Sequence, residues 1–310
     1  MISAKLAVIK RGLKLPRGQR VSVARAVKLS LLSVAALLIL VFFVSAYFFK
    51  ERTFVLEAET RSLSVEFSAG ANEWSFPSAT VCRLLDRPDP LADAGSGPCD
   101  ARFYSRSPVA GLVVSWPAGA RMRATYSNTA GLMLLVKNPV RDEFQAGTLI
   151  HVAEDSFRAA GALQFTGYLE LGSAIRPGEA NFLVSGIWEA RETGLVNNMF
   201  RSHVMETVKT GKLFRGSTAS VWEANAPAVS FGHISASNNL DESLLHFASA
   251  SAPGDVELRV EVFGAKQPSV IRPDIIDVAI SSPFILAFAF LLSLLSSMVQ
   301  IYSDVFANGE

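Results

Sequence analysis

Two uncharged, apolar blocks bracket a long segment in which apolar and polar residues alternate. The first block covers residues 29–49 and the second covers residues 283–302, with Ser282 and Pro283 suited to start a helix. A helix of about 20 apolar residues covers the hydrocarbon core of a bilayer, which is about 30 Å thick. The pattern therefore predicts two transmembrane helices, residues 29–49 and 281–302.

A cleaved signal peptide is the alternative for the first block, because Val44-Ser45-Ala46 has the small residues of a cleavage site. The apolar region of a signal peptide usually runs about 7–15 residues. The block at 29–49 is longer, and a long basic segment precedes it. These features favour an anchor that is retained.

The segment between the blocks has the period of two that is typical of β-strands with one buried face. It is clearest at Leu63, Val65 and Phe67. It recurs at 256–262 and, more weakly, at 112–116, 121–126, 131–136, 164–171, 181–189, 217–223 and 229–235. About nine short strands predict a mainly β, antiparallel sandwich or jelly-roll-like domain over residues 50–275.

One helix is predicted inside this domain. Val196, Phe200, Val204 and Val208 recur every four residues, and Gly211 follows as a candidate helix stop. Such a helix would pack on the sheet or lie against the membrane surface.

Charge is distributed unevenly, although the 29 basic and 28 acidic residues nearly cancel. Residues 1–28 have no acidic residue, and the other 282 residues therefore carry 21 basic and 28 acidic side chains, a net charge of −7. The basic residues of this arm, which we expect to contact anionic lipid, are Lys5, Lys10, Arg11, Lys14, Arg17, Arg20, Arg25 and Lys28. The uneven charge fits a membrane topology better than nucleic-acid binding.

Basic residues beside a span remain in the cytoplasm, so the arm 1–28 is predicted to be cytoplasmic. Two spans return the tail 303–310 to the same side. The domain 50–275 then lies in the periplasm or an equivalent exterior, anchored in the inner (cytoplasmic) membrane. Docking of the arm to a cytoplasmic protein remains an alternative to lipid contact.

Cys82 and Cys99 are the two cysteines, and both lie in the predicted exterior domain. The prolines and glycines between them predict a turn-rich loop. Their spacing is not that of a Cys-x-x-Cys redox pair, and no histidine lies nearby to complete a zinc site. We therefore predict a structural disulfide, which agrees with an oxidising compartment.

Catalytic motifs are absent from the sequence. The four histidines (151, 203, 233 and 246) have no metal or triad spacing, and no cofactor is expected. Asp86, Asp89, Asp93 and Asp100 do not have the spacing of a calcium loop and predict a solvated acidic loop. The four tryptophans are predicted to be core residues, with a sugar-binding platform as the alternative.

The second predicted span carries small and polar residues at helical spacing: Ala289, Ser293, Ser296, Ser297 and Gln300. Small residues let helices approach closely in lipid, so these five residues are the predicted helix–helix contact. Neither predicted span contains an ionisable residue, which argues against proton or ion transport.

The sequence therefore predicts a non-enzymatic, membrane-anchored envelope protein that serves as a scaffold, accessory or binding subunit of a membrane complex. Its expected partners are membrane lipids and other membrane or envelope proteins, or a second copy of itself. The alternative is an exported, membrane-bound hydrolase or glycan-modifying enzyme with a dispersed active site.

Overall fold

The computed structural model describes residues 51–68, 72–92, 97–127, 130–138, 144–173, 182–193, 205–237 and 244–274. It also describes Leu37 and residues 276–277, 280, 286–287, 289–294 and 296–297. These parts are mainly β, as predicted. The strands are β1 (Arg52–Thr60), β2 (Ser62–Phe67), β3 (Asn72–Leu84), β4 (Tyr104–Trp116), β5 (Arg121–Ser127), β6 (Gly131–Asn138), β7 (Leu149–Val152), β8 (Leu163–Leu171), β9 (Leu183–Thr193), β10 (Met205–Leu213), β11 (Thr218–Glu223), β12 (Ala226–Pro227), β13 (Val229–Ala236), β14 (Leu245–Ser251), β15 (Val256–Glu261) and β16 (Ser269–Ile271). A short helix, α1 (Glu154–Ala160), lies between β7 and β8.

The 16 strands form one antiparallel sheet. Its main path is β10-β9-β1-β14-β13-β8-β2-β5-β6-β7-β3-β4, and a branch leaves β8 through β11 to β15 and β16. Buried and partly exposed residues alternate along most of these strands, for example along β5 and β14. Antiparallel strands with this alternation bury one face and leave the other open to solvent.

The sheet curls until β3 lies against β8, although four strands separate them along the path. The indole Nε1 of Trp74 donates to the Gln164 carbonyl at 2.6 Å, and the Thr166 amide donates to Asn72 Oδ1 at 2.7 Å. Phe67 and Trp116 stack beside Trp74 with ring centroids 5.1 Å apart. Aromatic burial and these side-chain hydrogen bonds therefore close this part of the core.

A second closure brings β1 to the turn before β15. Arg52 and Gly254 exchange backbone hydrogen bonds of 2.8 and 3.1 Å. The start of the first strand and the start of β15 therefore meet. This contact is short, because β1 forms its long ladders with β9 and β14.

The sheet forks at β8. Along one edge β8 pairs with β13 from Leu163 to Tyr168, and beyond that point it pairs with β11 through one residue pair, Leu171 with Ala219. The strand β11 then continues alongside β15. Because the ladder between β8 and β11 is one pair long, a gap opens between the outer faces of the two strands.

The two ends of the main path, β4 and β10, present edges that are poorly shaped for further pairing. β4 contains Pro108 and has Gly111 in the left-handed region at φ +61°. β10 has a register shift between Thr207 and Lys209. Proline, bulges and lysines at an edge strand oppose pairing with another chain.

The predicted helix that ends at Gly211 is wrong over its described part, because β10 pairs with β9 there. Residues four apart share a face in a strand as well as in a helix, so the spacing did not distinguish the two. Gly211 accommodates a ring: a Cβ there would lie 2.5 Å from Cζ2 of Trp188. The first part of the helix prediction, 196–204, lies outside the described residues.

The first predicted span lies outside the described residues except for Leu37, as does the arm 1–28. In the second, the described residues at 286–287, 289–294 and 296–297 are helical, and Leu286 and Phe290 are 57% and 66% exposed. Within the described part of the chain, no helix has both the length and the apolarity to cross a membrane.

Candidate functional site: an anchoring cluster and a binding groove

Arg52 and Glu192 form a buried ion pair where the first strand begins. They are direct cross-strand neighbours on β1 and β9, and each side chain is 3% exposed. Nε and Nη2 of Arg52 donate to Glu192 Oε1 at 2.8 and 2.6 Å. Nη1 donates to the Val256 carbonyl at 3.0 Å, and Nη2 to the Pro273 carbonyl at 3.4 Å. We call Arg52, Glu192, Val256 and Pro273 the anchoring cluster.

The anchoring cluster joins the two ends of the β domain. Arg52 lies three residues after the first predicted span, and Pro273 lies ten residues before the second apolar block. A buried charge is tolerated when it is paired and its remaining hydrogen-bonding groups are satisfied, and the Arg52 guanidinium meets both conditions here. The cluster therefore fixes both ends of the β domain to one place on the sheet.

A capping box starts the helical residues that follow the anchoring cluster. The Asp277 amide donates to Asp274 Oδ1 at 2.8 Å, and the Asp274 amide donates to Asp277 Oδ2 at 3.0 Å. Such reciprocal bonds satisfy amides that a helix start leaves unpaired. Lys209 Nζ donates to Asp277 Oδ2 at 2.7 Å, and this bond, with the Asp274 amide, holds the pKa of Asp277 below its usual range.

The fork in the sheet creates an open groove with a volume of about 440 Å³. Its walls are the outer faces of β8, β2, β5 and β6 on one side and of β11 and β15 on the other. Hydroxyl groups and two aromatic side chains line it: Ser64, Tyr168, Thr218, Ser220 and Trp222.

Two of the three cations that line the groove are already engaged. The Arg121 guanidinium donates to the Glu66 carboxylate from Nε at 3.0 Å and also from Nη2. Arg259 Nε donates to Glu257 Oε1 at 2.8 Å, and the Arg259 guanidinium lies 4.2 Å from the centre of the Trp222 ring. These contacts fix the groove walls in place.

Lys137, Glu170 and Glu261 also line the groove, and none of them forms an ion pair within the described residues. Partial burial lowers the pKa of the Lys137 ammonium, and the nearby Arg123 and Arg121 charges lower it further, while Glu170 opposes this. The groove therefore presents one donor and two acceptors for which the described part of the chain supplies no ion-pair partner.

A second hollow, of about 410 Å³, lies beside β8 and β13 and is lined in part by Gln164, Phe231 and His233. His233 and His246 have ring centroids 6.4 Å apart, and His246 Nε2 lies 3.9 Å from Glu57 Oε1. Over the described ranges, no three His, Cys, Asp or Glu side chains are placed to hold a metal ion. The fourth histidine in the sequence, residue 203, lies outside these ranges.

The predicted disulfide is confirmed: Cys82 and Cys99 are bonded, with their Cα atoms 6.5 Å apart. It closes the loop between β3 and β4. In this loop Asp100 Oδ1 accepts from Arg102 Nε at 3.0 Å, which favours local charge pairing over a metal site. Asp86 and Asp89 are exposed, and Asp93 lies outside the described residues.

The described residues of the predicted helix–helix contact do not line either cavity. Ala289, Ser293, Ser296 and Ser297 are exposed, and the Ser297 hydroxyl donates to the Ser293 carbonyl at 2.9 Å. Gln300 and the eight basic residues of the arm lie outside the described residues.

Trp222 is a groove residue, and its predicted place in the core is wrong. Trp74, Trp116 and Trp188 are buried core residues as predicted, whereas Trp222 is half-buried and faces outward. The sequence contained a signal for this position. Along β11, Trp222 lies on the same face as Thr218 and Ser220, whereas the buried Ala219 and Val221 lie on the opposite face.

The chain matches no protein-family model, no curated protein sequence and no solved structure.

Proposed function

We propose that this chain is a non-enzymatic, membrane-anchored envelope protein whose extracytoplasmic β domain acts as a scaffold or binding subunit of a membrane complex. In this proposal two helices, residues 29–49 and 281–302, cross the inner membrane, and both chain ends are cytoplasmic. The observation that carries the proposal is the anchoring cluster. It holds the residues next to both apolar blocks at one place, which suits a domain attached to a bilayer by two neighbouring helices.

Exposed apolar side chains in the second block also support the proposal. Leu286, Phe290, Leu291 and Leu294 are 57%, 66%, 56% and 44% exposed. Apolar residues that the fold leaves uncovered in such a row are covered by lipid or by another helix. Ser293 and Ser297 on the same helix supply the small residues for a helix contact.

Topology can be tested by labelling single cysteines from outside intact cells. Cys82 and Cys99 are bonded to each other and present no thiol to the label, so one new cysteine is placed at exposed Glu73 or at Lys10. A membrane-impermeant maleimide should label the cysteine at position 73 and not the one at position 10. Labelling at position 10 in intact cells would contradict the orientation, and a chain recovered without membranes would contradict the anchoring.

Complex formation can be tested by purification in a mild detergent, followed by mass measurement of the native particle. The scaffold proposal predicts a stoichiometric partner or a defined oligomer. Substituting Ser293→Leu and Ser297→Leu should reduce its recovery, whereas the control Leu286→Ile should not. A monomer that hydrolyses an envelope glycan would instead favour the enzyme alternative.

A further inference from the structure

The groove at the fork of the sheet has a lining that the anchoring role does not use. Three cations (Arg121, Lys137 and Arg259) and three carboxylates (Glu66, Glu170 and Glu261) line it, so its formal charge is balanced. A phosphate or another anion in this groove would meet three carboxylates, and a cation would meet three basic groups. The charge balance therefore favours a ligand without net charge.

Donors and acceptors are both available on the groove walls. The ammonium of Lys137 can only donate, and the carboxylates of Glu170 and Glu261 can only accept. The hydroxyls of Ser64 and Thr218 can do either. A ligand that satisfies this set must itself donate and accept at closely spaced positions, as the neighbouring hydroxyl groups of a sugar do.

Aromatic surface completes the lining. Tyr168 and Trp222 are half-buried and face the groove from opposite walls. Half-buried aromatic rings with a polar edge provide apolar contact for the C–H groups of a ring while remaining in a wet site. Arg259 fixes the Trp222 ring, so this surface is formed before a ligand arrives.

A peptide fits the same groove less well. An extended peptide gains most of its affinity by pairing with a free strand edge. Of the strands that contribute residues to the walls, β2, β5 and β6 each pair with neighbours on both edges, whereas β12 pairs only with β11. The groove therefore offers mainly side chains of a sheet face, and the backbone left unpaired on β8 at the fork is only the short stretch between Tyr168 and Leu171.

We propose that the groove binds a neutral glycan segment, with Lys137, Glu170 and Glu261 hydrogen bonding to sugar hydroxyls and Tyr168 and Trp222 contacting the sugar rings. This deepens the binding role proposed above and names the ligand class. The role of the groove is recognition, and no bond of the glycan is broken.

The proposal can be tested by calorimetric titration of the full chain in a polyoxyethylene ether detergent, which carries no sugar. The probes are cellotetraose and the β-1,4 tetramer of N-acetylglucosamine. At least one should bind with a Kd of about 1 mM or lower. Raising NaCl tenfold should change this Kd less than about twofold, because a neutral ligand gains little from screened charge.

Groove variants locate the binding. Lys137→Met and Glu170→Gln should each weaken it by about tenfold, the effect of losing one hydrogen bond to a charged group. Lys212→Met and Glu73→Gln change the same residue types at exposed positions outside the groove and should leave the Kd unchanged. Unchanged thermal unfolding of all four variants shows that the fold is intact.

Three results would overturn the inference. The first is no binding of either neutral tetramer at 10 mM, which is about ten times the expected Kd. The second is binding by both groove variants that is as tight as binding by the wild-type chain. The third is tighter binding of tetragalacturonate or tetra-alanine than of the neutral tetramers. None of these results would alter the labelling pattern or the native mass. A failed glycan proposal is therefore distinguishable from a failed anchoring proposal.

Discussion

The anchoring cluster and the groove use the same residue types in opposite ways. In the cluster, Arg52 and Glu192 are both 3% exposed, and the guanidinium spends its donors on a carboxylate and two carbonyls. In the groove, Lys137 and Glu170 are near each other without a direct ion pair and remain open to solvent. Charged groups that are paired within the fold hold chain segments together, whereas charged groups without an ion-pair partner remain available to a ligand.

Breaking the ion pair of the anchoring cluster should have the largest effect on the free energy of unfolding. Arg52→Met leaves the buried Glu192 carboxylate without its guanidinium, and we expect a loss of about 3–5 kcal/mol in the free energy of unfolding. Urea titration followed by tryptophan fluorescence measures it. The double variant Arg52→Met/Glu192→Leu should recover much of the loss, because no buried charge remains. A double variant as unstable as the single one would contradict this reading of the cluster.

The disulfide supplies a covalent standard for the comparison. Cys82 and Cys99 are separated by 17 positions, and opening a loop of this size costs about 3 kcal/mol. The variant Cys82→Ser/Cys99→Ser should lose about this much stability, slightly less than Arg52→Met. Unfolding of the wild-type protein with and without a reductant gives an independent measurement, and the reductant should not affect the serine variant.

The capping box also contains an ion pair, between Asp277 and Lys209, but this pair is partly exposed. Its loss should therefore lower the free energy of unfolding by less than the loss of the Arg52–Glu192 pair. Asp277→Asn removes the charge-assisted bond to Lys209 and weakens the cap, at a cost of about 1 kcal/mol. Hydrogen exchange of the amides of residues 276–280 reports it locally. The pKa of Asp277 is lowered in the folded chain, so its contribution is full above the ordinary value of 3.8 and disappears as the pH falls through the folded pKa. A difference that persisted in stronger acid would point to another group.

The groove variants should have the smallest effect on stability. Lys137→Met and Glu170→Gln remove side chains that form no ion pair within the described residues, so we expect changes within about 0.5 kcal/mol. The same urea titration tests this. A loss above about 2 kcal/mol would mean that the groove charges support the fold and would remove the contrast with the anchoring cluster.

The sequence predicted the elements whose pattern is local. The period of two identified β2 and β15 and most of the outlined strands. The buried apolar residues have even numbers in β1 (Phe54, Leu56 and Ala58) and odd numbers in β2 (Leu63, Val65 and Phe67), so the break at Arg61 shifts the pattern by one residue. The helix α1 was missed, because its seven residues are too few to show a helical period.

The groove could not be predicted, because its residues come from strands far apart in the chain. Ser64, Lys137 and Glu261 lie on β2, β6 and β15, and only the fork at β8 brings them to one place. The disulfide was predictable because it needs only two cysteines and a loop between them. Long-range pairing of the kind that forms the groove leaves no periodic signal in a single sequence.

The two edge strands have a consequence for crowding. Pro108 and Gly111 in β4 and a bulge beside Lys209 in β10 hinder neighbouring copies from extending the main path of the sheet. Contacts between copies at these two edges therefore have to come from side chains, which can be reversed, and not from continuous backbone pairing.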